Sequence, residues 1–125
     1  MWIEYNPNPN AKRVGDCVIR AVAKAVGKSW EETYIELCLL GYIKGDLPSS
    51  NKIWGDYLKS KGFTKDIVAD DCPDCYTIAD FCEEYPKGVY VIGTGTHAVC
   101  VEDGCVFDTW DSSGEVPIYF YYKGE

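Results

Sequence analysis

The sequence predicts an α+β domain, with helices first and a small antiparallel sheet after them. Three observations carry this. Four helix-start signals precede Pro86. The hydrophobic period changes from helical to alternating after Gly88. An Asp103-Gly104 pair then sits between two apolar runs, a strong hairpin signal. Runs of helices followed by runs of strands define the α+β class. At 125 residues the chain has room for one core, so a single domain over 1–125 is expected.

Asn6-Pro7-Asn8-Pro9-Asn10 reads as an ordered lead-in loop, because proline holds it extended and removes donors. The first helix is expected over Cys17–Val26, with Asp16 as its cap and Gly27 as its end. Val18, Ala21, Val22 and Ala25 recur at three-four spacing, which places this helix at the centre of the fold. Ser29 and Glu32 form a capping box for a second helix that Gly41 should stop, with Tyr34, Leu37 and Cys38 on its inner face. A third helix spans Ser50 to Lys61, with Ile53, Trp54, Tyr57 and Leu58 inward. Thr77 to Asp80 opens a short fourth, which Tyr85-Pro86 ends. Strands follow at Gly88–Gly93, His97–Glu102, Cys105–Trp110 and Val116–Tyr122. Trp30, Trp54 and Trp110 fit core positions.

Charge and composition exclude several classes. The net charge of −8 repels a phosphate backbone, so nucleic acid is not an expected partner. No apolar run is long enough to span a membrane. The N-terminus lacks a signal-peptide pattern, so a cytoplasmic protein with reduced thiols is expected despite its seven cysteines. Cys38, Cys82 and Cys100 occupy apolar-face positions as small hydrophobes.

Chemistry concentrates at three residues. Cys17 falls in the first turn of a helix, where partial positive charge stabilises a thiolate. His97 is the one histidine of the chain and follows the glycine-rich Gly93-Thr94-Gly95-Thr96. An imidazole is the usual base for a thiol nucleophile. A two-residue turn at Asp103-Gly104 makes Val101 face Val106, Val99 face Asp108 and His97 face Trp110. His97, Val99, Asp108 and Trp110 then share a sheet face, and Asp108 becomes a diagonal neighbour of His97. Asp111 falls on the other face. Asp108 is therefore the candidate to orient the imidazole, with Trp110 covering the pair from solvent. Cys17 supplies a backbone oxyanion donor. The chain has no glutamine, and Asn10 is the nearest upstream amide for the second donor. Asp16, Gly95 and Trp110 join Asn10 as candidate substrate-contacting residues, Gly95 because it lets a substrate backbone approach His97.

The stretches Gly15-Asp16-Cys17-Val18-Ile19-Arg20-Ala21, Thr96-His97-Ala98-Val99 and Val106 to Ser112 together resemble the papain-like (clan CA) cysteine peptidases. The first is similar to the nucleophile segment of ovarian-tumour-type deubiquitinases. The His-strand-turn-strand-Asp element is similar to C39-type bacteriocin-processing peptidases and other minimal bacterial or phage types. The resemblance implies a papain-like fold with the nucleophile on a central helix. It implies a cysteine hydrolase (peptidase, isopeptidase or amidase) with a Cys17–His97–Asp108 triad, a thioester intermediate, a peptide or protein substrate and no cofactor. An alternative keeps the scaffold as a non-catalytic binding module, such as a phage protein engaging a host factor. A third reading is a zinc or redox site at Cys72 and Cys75, but a second CxxC is lacking and no metal site is expected.

Overall fold

A computed structural model describes residues 1–68 and 76–123. The elements run β1 (Trp2–Glu4), α1 (Cys17–Val26), α2 (Trp30–Lys44), α3 (Asn51–Ser60), β2 (Phe63–Ile67), α4 (Ile78–Glu84), β3 (Val89–Gly93), β4 (Ala98–Glu102), β5 (Cys105–Asp108) and β6 (Tyr119–Lys123). The strands form one six-stranded sheet in the order β1-β5-β4-β3-β6-β2. The class is α+β, as expected.

Local chemistry explains most boundaries. Gly27 and Gly45 take left-handed conformations after α1 and α2. Both capping boxes form, Ser29 with Glu32 and Thr77 with Asp80. The Asp103-Gly104 turn has φ of 50° and 78° at its two residues, as a type I′ hairpin requires. Its register pairs Cys100 with Phe107, Val101 with Val106 and Glu102 with Cys105, the pairing expected from the sequence.

Two layers of helix cover the sheet. On one face α1, α2 and α3 bury Ala21, Val22, Leu37, Trp54 and Leu58 against Val91, Ala98, Cys100 and Tyr121. On the other, Ile78 and Phe81 of α4 pack on Ile92, Val99, Val101, Val106 and Phe120. Alternation along each strand feeds both cores, so a register slip of one residue would exchange them. Among the described residues no helix is long and apolar enough to cross a membrane.

The structure corrects four expectations, three of them in the sheet. The sheet is mixed, because β1 runs parallel to β5 with Trp2 opposite Val106. The helices are not all first, because β2 leaves α3 and pairs antiparallel with β6. The last strand starts at Tyr119, after Pro117, which has no N–H to give a ladder. The second helix does not stop at Gly41 but runs on to Lys44.

Gly41 instead serves a close approach. A β-carbon there would lie 2.6 Å from the Asp46 carbonyl and 3.2 Å from the Pro48 nitrogen, both backbone atoms of the loop folding back on α2. The glycine carbonyl also accepts the Asp46 N–H at 2.8 Å. Gly41→Val should therefore lower stability by about 1–3 kcal/mol, the usual range for overpacking. Urea titration checks this, with a reduced midpoint and an unchanged m-value expected.

Candidate active site

Three chain segments converge at one end of the sheet. Helix α1 brings Cys17 at its first position. The turn from Thr94 to His97, closed by the Thr94 N–H donating to the His97 carbonyl at 2.9 Å, brings the imidazole. Asp108 is the last residue of β5. His97 does not itself belong to a strand, since β4 begins at Ala98. Val99 faces the α4 layer, so strict alternation would turn His97 the same way. Lying in the turn, beyond the ladder, His97 instead meets Asp108 at the strand ends, where the start of α1 also arrives.

His97 Nε2 lies 2.6 Å from Asp108 Oδ2. With Nε2 engaged, Nδ1 is the ring nitrogen left for the Cys17 thiol, which lines the same cleft as His97. Burial pushes that thiol's pKa up, but hydrogen bonds from His97 and the Ala98 N–H, with the charges of His97 and Arg20, bring it below its ordinary value. Burial works against the imidazolium too. Asp108 and Cys17 outweigh it and raise the His97 pKa to about 9. Opposite shifts in adjacent groups favour a thiolate beside an imidazolium. The other described cysteines with resolved shifts behave oppositely: burial pushes Cys100 up to about 12 and also raises Cys82.

Asp108 is 1% exposed, yet its carboxylate is fully partnered. Oδ1 accepts from Arg20 Nη2 at 3.0 Å and from the Thr109 N–H at 2.8 Å. Oδ2 faces His97 and accepts from Ser112 Oγ at 2.7 Å. Burial alone would raise its pKa, but His97, Ser112 and the Thr109 N–H hold the carboxyl below its ordinary range. Its backbone is fixed as well: the carbonyl accepts from the Tyr5 N–H at 2.8 Å and from the Trp2 indole at 3.1 Å. The edge strand β1 thus steadies the acid.

Asp16 does not cap α1 with its side chain. That carboxylate is buried, pairs with the Arg20 guanidinium and accepts the Trp30 indole N–H at 2.9 Å. Trp30 is accordingly half-buried rather than a core residue. Arg20 therefore bridges Asp16 and Asp108. The sequence contains the signal for the first pair, an Asp and an Arg four residues apart flanking the cysteine. It contains none for the second.

The remaining candidates separate. Gly95, with φ of 97°, lines a cleft of about 170 Å³ together with Gly15, Cys17, Thr96 and His97. Trp110 packs on the His97 ring at 5.0 Å between centroids and shields it from outside, while staying 43% exposed itself. Asn10 is exposed and is not among the cleft-lining residues; its N–H donates to Asn8 Oδ1 at 2.9 Å within the lead-in loop. The amide that does line the cleft is Asn51, at the start of α3. Its Oδ1 accepts the Trp54 indole N–H at 3.1 Å, which leaves the amide NH2 as its donor. Asp111 accepts from Ser113 in a local turn and takes no part. Cys72 and Cys75 lie outside the described residues. Among those described, no group of three or more metal-type side chains could hold an ion.

No family model, curated protein or solved structure matches this chain. The functional reading rests on the geometry.

Arg20 compensates two buried carboxylates, so removing it should cost far more than an ordinary surface ion pair. Arg20→Met is expected to lower stability by about 3–5 kcal/mol at pH 7. The loss should shrink toward pH 4, where a stranded Asp108 can take up a proton. Urea unfolding at both pH values measures it.

Proposed function

We propose that this protein is a cysteine hydrolase of papain-like organisation, cleaving an amide or isopeptide bond in a peptide or protein substrate. One observation carries the reading. A thiol at a helix start, an imidazole and a buried, fully hydrogen-bonded carboxylate stand in series beside an open cleft, with the thiol pKa lowered and the imidazole pKa raised.

The chemistry follows from the charges. The Cys17 thiolate attacks the carbonyl carbon, and the oxygen of the tetrahedral intermediate becomes an oxyanion. The Cys17 backbone N–H and the Asn51 amide serve as its donors, the role expected of Asn10. Collapse breaks the carbon–nitrogen bond, and His97 gives its proton to the departing amine. The product is a thioester on Cys17. His97, now neutral, takes a proton from water as the water oxygen attacks, and the thiolate leaves. Asp108 keeps the imidazole oriented and stabilises its cationic form throughout. Arg20 is a positioning residue that holds Asp108 in place through Oδ1.

Iodoacetamide tests the nucleophile. At pH 7 Cys17 should be alkylated at least about tenfold faster than the other cysteines, as read by peptide mass spectrometry. Equal rates in the folded protein would overturn the proposal. His97→Gln should lower the Cys17 rate at pH 7, because the thiol loses both its hydrogen bond and its neighbouring charge.

The pH profile of hydrolysis has a definite sign. On the acid side activity falls as the thiolate takes up a proton. On the alkaline side it falls near pH 9, where His97 loses the proton meant for the leaving group. Asp108→Asn removes the charge that raises His97, so the alkaline limb should move down toward the ordinary histidine value. An unmoved limb would remove Asp108 from the triad.

A further inference from the structure

The cleft at Cys17 continues into a second hollow. Asn51 and Tyr119 line both. Beyond them a groove of about 260 Å³ is walled by Lys52, Gly55, Asp56 and Lys59 of α3, with Lys65 of β2 and Tyr121 of β6. Gly55 belongs to this groove for a steric reason: a β-carbon there would collide with the Tyr121 hydroxyl.

The charge of this groove opposes that of the chain. The whole sequence carries −8, yet the groove wall presents three lysines and one aspartate. Asp56 is already neutralised, at 2.7 Å from Lys44 and 3.3 Å from Lys52. Among the described residues Lys59 and Lys65 pair with no carboxylate. Lys65 sits over the Tyr119 ring at 4.7 Å, which holds its ammonium at the junction of the two hollows. A like-signed cleft of this kind concentrates an oppositely charged ligand.

We propose that this groove is a subsite for acidic side chains, and that the substrate is a peptide segment bearing Asp or Glu next to the bond attacked. The inference rests on the reading of Cys17 as nucleophile and adds to it the class of substrate. Lys59 and Lys65 hold the carboxylates. Tyr119 and Asn51 form the passage that leads the substrate backbone from the groove to the thiolate.

Four electrophilic peptides test this. Chloroacetyl-Glu-Glu-amide and acetyl-Glu-Glu-chloromethyl ketone approach Cys17 with opposite chain directions, and each has a Gln-Gln counterpart of equal size. Alkylation of Cys17 is followed by mass spectrometry at low ionic strength. In at least one direction the Glu probe should react roughly tenfold faster than its Gln counterpart. That ratio should fall toward one in 0.5 M salt, about where surface charge is screened. It should fall likewise in the double variant Lys59→Gln/Lys65→Gln. Equal Glu and Gln rates in both directions, with iodoacetamide still selecting Cys17, would overturn the groove alone. Loss of iodoacetamide selectivity would remove the nucleophile, and the subsite with it.

Discussion

The buried guanidinium of Arg20 is the constraint on which the site depends. It stands between Asp16, just ahead of α1, and Asp108, at the end of β5. A buried carboxylate without compensation would take up a proton or unfold its surroundings. Arg20 removes that option for Asp108 and in the same stroke ties the start of the central helix to the sheet. The position of Cys17 relative to His97 follows from this tie, because one side chain rides on the helix and the other leans on the tied carboxylate. The geometry of the candidate site and the fold are here secured by one cation.

The supporting shell is built from unrelated parts of the chain. Trp30 of α2 completes Asp16, Ser112 and the Thr109 N–H complete Asp108, and Trp2 and Tyr5 hold the Asp108 backbone. None of these groups needs to touch a substrate. Together they satisfy the polar atoms of two buried aspartates, in side chain and backbone, in a dry place.

Much of this was legible in the sequence because it was local. Helix α1 could be read from its apolar spacing and Gly27, and the β4–β5 register from a single Asp-Gly pair, which brought Asp108 toward His97. What escaped was non-local. Strand β1 is three residues long and exposed, so it carries no pattern of its own and exists only because β5 offers it an edge. Strand β2 buries Phe63 alone. Gly41 looked like a stop signal, but its lack of a side chain answers to a loop packed against the helix, which no periodicity records. Asn51 was hidden for a similar reason: it sits far along the chain from Cys17 and becomes a neighbour only when α3 packs beside α1. Asp16 failed as a cap because a stronger partner, a buried cation, was available for its carboxylate.

The Arg20 bridge also has a temporal side. Its two ends differ in kind: Asp16 is one helical turn away, whereas Asp108 lies 88 residues further on. The near half can assemble with the first helix, while the far half must wait for a hairpin made near the end of the chain, and loop closure over that separation is slow. Until it closes, the thiol has neither its imidazole nor the fully assembled cationic surroundings, and it behaves as any ordinary cysteine. The juxtaposition of thiol, imidazole and carboxylate is thereby a product of the completed sheet, not of the first helix alone.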